Sequence, residues 1–563
     1  MTEPKAHKNK LTDMQKLLNF IDSIKRYNVL EIELSGEIPE EEERFPLPFL
    51  RRRKKLTLWD FERLFRYASN SPKVLAVLIK IKDLRIGLAK AEAMRRGVLE
   101  LRKKGKAVFV YLESGDNIGY LIGSAAEKIF MPPWAMLNLI GLSAEVTFFK
   151  DALDKLGIEA QIKGLGEYKS AAETFTRKTM SEPHKTMMDS IIGDLFSQFV
   201  KYVSQGRGRQ EKTITALIDE GPFLAHEALR KGLIDETIYE SDLEKEIEDV
   251  LSLRVQKISA RGFLKLLSIR EKVQSIIDRI RGNTNTIALV ADSGIITLGE
   301  SRGSGSAKTL GSETLIRILK RLAEDKRINA IVLRISTPGG SGVASDLIRQ
   351  QVKSISEKKP VVISMSDVAA SGGYMIALGA GKIVADSMSL TGSIGIVLGK
   401  FNLDSFLKKL GVTKEWVTRG KRALIFSSNK GFTKKEEEKL DVIMESFYRD
   451  FVEKVAQARA MEFESAELLA RGRVWTGKQA KETGLVDELG GINEAIEIAK
   501  KQAGIPEEAF PTVRFISKPK GIQFTPIGKG FAFGIEFDSL IQSLRHLERE
   551  KVLALMPFWI EVK

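Results

Sequence analysis

Two residues of this chain stand where a hydroxyl and an amine could do chemistry together. The first is Ser371, in Ala369-Ala370-Ser371-Gly372-Gly373-Tyr374, between the apolar run Val361–Met365 and a helical pattern. A serine on a sharp strand-to-helix turn sits where free backbone N–H groups point outward, and glycines after it let another backbone approach closely. Such a serine can attack a carbonyl carbon, with the N–H of Gly372 as one donor to the developing oxyanion. The turn Pro338-Gly339-Gly340 ends the neighbouring predicted strand, and Gly339 or Gly340 can supply a second donor. Losing one such donor costs roughly 3 kcal/mol of transition-state stabilisation, so a working site needs both. Taken alone, Ser371 is better read as a small N-cap residue.

The nucleophile needs a base. The chain has no cysteine, and His7, His184, His226 and His546 are scattered outside the Gly-rich turns. A lysine serves if burial lowers its pKa toward neutrality, because desolvation disfavours the ammonium form. Lys169, in Gly164-Leu165-Gly166-Glu167-Tyr168-Lys169-Ser170-Ala171, has the small neighbours of a close-packed site, and Lys421 is its rival. Ser393, in Thr391-Gly392-Ser393-Ile394-Gly395, can relay to the amine, and a purely structural serine is the alternative there. No cofactor or metal motif is present, and none is expected.

An internal repeat separates these readings. From Val74 to about Phe175 the chain matches itself at a constant spacing of 254 residues, with Tyr120 on Tyr374 and Lys128-Ile129 on Lys382-Ile383. Gly232-Leu233-Ile234-Asp235-Glu236 then answers Gly484-Leu485-Val486-Asp487-Glu488 at 252. Each half is a control for the other. Ser371 falls on Asn117, Gly339-Gly340 on Arg85-Ile86, and Ser393 on Leu139, whereas Lys169 falls on Ala423. One half keeps a serine and its donor turns, and the other keeps a lysine.

Positioning these groups requires α/β elements. At 563 residues and 43% hydrophobic content, the chain is a globular protein with more than one core. Each half runs strand, loop, helix, strand, loop, helix, which implies a parallel sheet with right-handed crossovers. The expected divisions are a basic arm over 1–28, a first repeat over 29–252, a basic helical connector over 253–283, a second repeat over 284–503, and a tail over 504–563. The connector's apolar stripe (Ile258, Phe263, Leu266, Leu267, Val273, Ile276, Ile280) is expected to pack on the protein, with a membrane surface as the alternative. The tail has no recognisable counterpart in the first half and carries an apolar end, Val552–Ile560, suited to docking. A net charge of +15 is spread along the chain, and aromatics make up only 7%, so nucleic acid is not an expected partner. No secretory segment and no stretch of membrane-spanning length is visible.

With Ser336-Thr337-Pro338-Gly339-Gly340, Ala370-Ser371-Gly372-Gly373-Tyr374, Thr391-Gly392-Ser393-Ile394-Gly395 and Glu167-Tyr168-Lys169-Ser170 in this order, residues 29–500 resemble signal peptide peptidase A (protease IV) in its long, duplicated form. The resemblance implies tandem ClpP/crotonase-like domains and a serine endopeptidase acting on cleaved signal peptides. It implies Ser371 as nucleophile, Lys169 as base, Ser393 as the lysine's helper, and Gly339, Gly340 and Gly372 as the oxyanion hole. It further implies a homotetramer in which a serine meets a lysine of an adjoining subunit, and association with the inner membrane. The family's usual N-terminal anchor is not visible here, and Thr337 stands before the proline where a serine is usual. Two other readings share part of this pattern. A crotonase-type hydratase would need a carboxylate, the nearest being Asp367, and a membrane-associated scaffold would need no pair at all.

Overall fold

In the computed structural model the residues described are 27–42, 55–280, 285–303, 308–509, 511–516 and 552–556. The arm over 1–26 and the rest of the tail lie outside them. Both halves are built on apolar strands; apart from Val29–Gly36, whose burial alternates toward its end, they are buried along most of their length, as central strands of a parallel sheet must be. In the first half, Val29–Gly36, Ala76–Leu84, Ala107–Leu112 and Lys128–Met131 pair in that order, all parallel. In the second, Thr286–Ser293, Ala330–Thr337, Val361–Ala370 and Lys382–Ala385 do the same. Helices such as Leu58–Asn70 and Leu88–Lys103 cover the first sheet with an apolar face.

The duplication extends to individual hydrogen bonds. The Tyr120 hydroxyl donates to Leu233 O at 2.7 Å, and the Tyr374 hydroxyl donates to Leu485 O at 2.9 Å. Asp235 accepts from Ile129 N–H and pairs with Arg207, while Asp487 accepts from Ile383 N–H and pairs with Arg459. The matched Gly-Leu-Ile/Val-Asp-Glu segments therefore close each repeat in the same way.

The connector packs on the first repeat. Lys257–Ser259 runs parallel to Val29–Glu31, and the following helix, Ala260–Ile280, buries Phe263, Leu264 and Leu267 in the first core. Ile276, the outlier of the stripe, is exposed. The expectation that nothing beyond Gly504 repeats the first half is corrected here. Thr512–Ile516 adds a parallel edge strand to Thr286–Val290, as Lys257–Ser259 does to Val29–Glu31. An edge strand is specified mainly by backbone pairing, so the two segments share position without sharing sequence.

A third sheet joins the repeats. Its order runs Thr309–Gly311, Ile295–Thr297, Gly339–Ser341, Val552–Leu555, Ile396–Asn402, Glu159–Leu165. The last strand belongs to the first half and pairs antiparallel with Ile396–Asn402 over seven residue pairs, from Ile396↔Leu165 to Asn402↔Glu159. The first half thus sends a strand into the second, and Lys169 follows four residues after it.

Buried charges also hold the halves together. Arg334 is fully buried, 3.3 Å from Glu40, and donates to Ser364 Oγ at 2.9 Å and to Met365 O at 2.6 Å. Lys90 lies 3.5 Å from both Glu40 and Asp367. Burial pushes the Glu40 carboxyl up, but Arg334, Lys90 and Ser366 outweigh it and hold the group at about 2. A carboxyl depressed in this way adds stability above its ordinary range and loses it only as pH falls toward 2. Glu40→Gln leaves two buried cations under-compensated and is expected to cost about 3 to 5 kcal/mol at pH 7. A fall in the urea-unfolding midpoint checks this.

Candidate active site

The strand Val361–Ala370 delivers Ser371 into a backbone conformation that L residues avoid, with φ 55° and ψ −109°. Holding such a residue costs on the order of 1 to 3 kcal/mol and persists only where the surroundings enforce it. Here they do. Ser371 N–H donates to Gly392 O at 2.7 Å, and Ala369 and Ala370 pair with Thr391 and Gly392. The Thr391 hydroxyl donates to Ala369 O at 2.8 Å. Ser393, the next residue past this pairing, also has positive φ, 52°, and its N–H donates to Arg473 O at 2.6 Å. Two strained serines therefore face a common point.

Lys169 fills that point. Its Nζ lies 2.8 Å from Ser371 Oγ, 2.8 Å from Ser393 O and 2.9 Å from Ser393 Oγ, and the residue is 4% exposed. Burial lowers its pKa well below the ordinary lysine value, and no carboxylate acts to raise it. Burial thus favours the neutral amine, which has a lone pair to accept a proton and two N–H bonds to donate to Ser393.

The backbone around Lys169 is so close that glycine is required at several places. A Cβ on Gly164 would sit 2.5 Å from Lys169 O, one on Gly472 would sit 2.5 Å from Lys169 Cβ, and one on Gly395 would sit 3.1 Å from Lys169 Cδ. Tyr168 N–H donates to Arg471 O at 2.8 Å, and Gly472 N–H to Ile394 O at 2.7 Å. The Arg473 guanidinium lies over both the Tyr168 and Trp475 rings. The segment Arg471–Trp475 thus clamps the lysine turn of one half to the Ser393 turn of the other. Sequence reasoning missed this clamp. The only signal for it is glycine and arginine alternating just before Val474–Thr476.

Of the two turns expected to act as donors, one carries a hydrogen bond of its own. Gly372 opens the helix Gly372–Ala377, so the helix itself leaves its N–H unbonded. Gly339 and Gly340 have φ of 108° and 151°, and a Cβ on Gly340 would lie 2.2 Å from Ile296 O. The Gly339 N–H, however, donates to Thr337 Oγ1 at 3.1 Å. The Thr337 methyl also lies where a Cβ on Gly373 would collide, at 2.6 Å. The unusual threonine therefore braces the loop against the serine helix.

The other sequence candidates fall elsewhere. Lys421 is exposed in a turn. Asp367 accepts from Lys90 N–H at 3.0 Å in the seam between the halves. Buried His184 is 3.0 Å from Glu173, and His226 is exposed. Among the described residues no group of His, Asp and Glu is placed to hold a metal ion. The implied meeting of serine and lysine across a subunit boundary is corrected. Both groups belong to one chain, because the strand Glu159–Leu165 crosses into the second half.

A strained serine at a helix start thus stands 2.8 Å from a buried lysine amine, with glycine turns around both. The chain belongs to peptidase family S49, whose model matches residues 100–254 and 353–506, one stretch in each half. It is similar to the chloroplastic serine protease SPPA of Arabidopsis thaliana, 33% identical over 506 residues, covering 88% of this chain and 72% of that one. Protease 4 of Haemophilus influenzae is 30% identical over 462 residues, covering 80% and 73%. A signal peptide peptidase SppA of Enterococcus faecium is 30% identical over 233 residues, covering 41% and 67%. The chain is a serine endopeptidase.

Replacing Lys169 by Met keeps the volume and removes the amine beside Ser371. Turnover is expected to fall about 10³-fold or more. Thermal stability at pH 7 is not expected to fall, because a lysine depressed by burial contributes less stability below its unfolded pKa than above it. Steady-state assays and a thermal melt on the same variant check both halves of this.

Proposed function

We propose that Ser371 is the nucleophile and Lys169 the general base in the hydrolysis of extended apolar peptides, cleaved signal peptides among them. The observation that carries this reading is the 2.8 Å contact between Lys169 Nζ and Ser371 Oγ in a site closed to water. The amine takes the hydroxyl proton as Oγ attacks the scissile carbonyl, and the resulting oxyanion is met by N–H groups of Gly372 and of the Gly339-Gly340 turn. The ammonium, held by Ser393 Oγ and O, returns the proton to the leaving amine. Water then releases the acyl group from Ser371 by the same path. Ser393 acts as a positioning residue for the lysine.

The substrate class is carried over from the Enterococcus relative, a signal peptide peptidase by name. Among the described residues no helix is long and apolar enough to cross a membrane. Peripheral contact through the basic surface is proposed instead. A homotetramer is proposed from the family resemblance, and large apolar residues left bare in a single chain support an assembly. Trp134 and Val417 are each 93% exposed. The dyad does not require it.

A fluorophosphonate probe is expected to label the wild-type chain and to leave Ser371→Ala unlabelled. The rate of peptide hydrolysis is expected to rise between about pH 7 and 9, as the depressed amine loses its proton. Loss on the acid side follows from protonating the base. A flat profile, or labelling that survives Ser371→Ala, would remove Ser371 and Lys169 from these roles.

A further inference from the structure

The segment that presents Ser393 is held by side chains of the other half. Lys382–Ala385 ends at Asp386, and the chain then runs through Ser387, Met388 and Ser389 into the strand Leu390–Gly392. Glu92, on the first-half helix Leu88–Lys103, accepts from Ser387 Oγ at 2.7 Å and from Met388 N–H at 3.0 Å. The Tyr202 hydroxyl, on the first-half helix Glu182–Arg207, donates to the same carboxylate at 2.9 Å, and the Arg95 guanidinium lies over the Tyr202 ring. One turn further along the Glu92 helix, Arg96 donates to Asp386 Oδ1 at 2.7 Å. Near the start of that helix, Lys90 N–H meets Asp367, on the strand that delivers Ser371. One helix of the lysine-bearing half thus touches the approach to both serines.

The fold does not require this grip, because the sister repeat lacks it. At the spacing of 254 residues, Asp386-Ser387-Met388 falls on Pro132-Pro133-Trp134, where there is no hydroxyl and the prolines have no N–H, and Trp134 is left exposed. Glu92 falls on Asp346, and Arg96 on Gln350. Asp346 is half-buried and turns instead to Arg349 of its own helix at 2.8 Å and to Lys454 at 3.0 Å.

Glu92 is 8% exposed. Burying a carboxylate is costly unless donors meet it, and an interface that only had to cohere is as well served by apolar residues. What the Tyr202, Ser387 and Met388 donors add is direction. Hydrogen bonds to a carboxylate are short and depend on angle, so they fix the Ser387-Met388 backbone where packing would let it slide. Farther along the same segment, Ser393 O and Oγ accept from Lys169 Nζ at 2.8 and 2.9 Å. The reach of those acceptors to the amine, and the exclusion of water from it, therefore depend on where the segment lies.

We propose that Glu92 is a positioning residue for the Lys169 amine: by fixing the segment Asp386–Ser393 it holds Ser393 against the lysine and keeps water out. The proposal rests on the Ser371–Lys169 reading. Glu92 acts through the segment and takes no part in proton transfer.

The test uses the full chain with Glu92→Gln and, separately, with Ser387→Ala. Fluorophosphonate labelling of Ser371 and kcat for an apolar peptide are followed from about pH 6 to about pH 10, a range that spans a depressed lysine. A loosened segment admits water to the amine. The midpoint of both profiles is therefore expected to rise by about one pH unit in Glu92→Gln and by less in Ser387→Ala, with kcat at neutral pH down about tenfold and KM within about twofold. Removing a negative charge would by its field alone lower the midpoint, so a rise reads the geometry. Ser387→Ala removes one donor and no charge, and it carries the test should Glu92→Gln fail to fold. The two changes combined are expected to shift the midpoint little more than Glu92→Gln alone, because they break one contact. Asp346→Asn, the corresponding change on the sister helix, is expected to leave the midpoint in place. A midpoint that stays or falls in Glu92→Gln and Ser387→Ala, or one that rises as far in Asp346→Asn, overturns the proposal while the dyad stands. A wild-type profile flat over this range sinks the dyad and the proposal with it.

Discussion

A lysine amine kept out of water without a carboxylate partner is the constraint on which this molecule turns. Charging that amine in place would bury an unpaired cation, which an apolar interior resists strongly. A neutral amine has one lone pair and two N–H bonds, and the three atoms within reach of Nζ match that inventory. Ser371 can donate its hydroxyl proton to the lone pair, while Ser393 supplies two acceptors, Oγ and the backbone O. Adding a carboxylate would stabilise the ammonium and, on the proposed mechanism, remove the base. The site's lack of acidic groups around Lys169 is therefore part of its chemistry.

Dehydration of that kind needs close walls, and glycine supplies them. Gly164, Gly395 and Gly472 let three backbone segments approach Lys169 from different parts of the sequence. The strand Glu159–Leu165 brings the lysine in, and seven paired residues along Ile396–Asn402 fix its register. A slip of one residue would turn the strand's side chains to the opposite face. The division of labour between halves is thus stable because it is made in the backbone, through a shared sheet, and not through the dyad alone.

The serine, the lysine and the paired strands were legible because the repeat supplies an internal comparison. Ser371 against Asn117, and Lys169 against Ala423, are differences that a single copy could not show. The strand-and-helix order was legible from β-branched runs such as Ala330–Thr337. The clamp at Arg471–Trp475 was not, because its contacts are backbone hydrogen bonds and ring stacking between segments far apart in sequence. The edge strand Thr512–Ile516 was hidden for a related reason, since pairing constrains the backbone of an edge more than its side chains. The meeting of the dyad within one chain also lay beyond sequence, because spacing along the chain cannot say where an exchanged strand will pair.

The two halves show what the chemistry demanded of the turn. In the first half Asp116 caps the helix Asn117–Gly123 by accepting from Gly119 N–H at 2.6 Å. The Asn117 amide donates to Gly141 O at 2.8 Å, and its carbonyl accepts from Ile140 N–H. Asn117 does not carry the positive φ of Ser371. That turn is capped, hydrogen-bonded and relaxed. In the second half the equivalent helix starts at strained Ser371 and has no side-chain cap. A cap there would fill the N-terminal N–H groups, and an asparagine amide would occupy the room needed by Lys169. Caps are worth about 1 kcal/mol and strained residues cost a comparable amount. The active turn thus gives up local stability that its sister retains, and the buried network around Arg334 and the shared sheet hold the strained geometry in place.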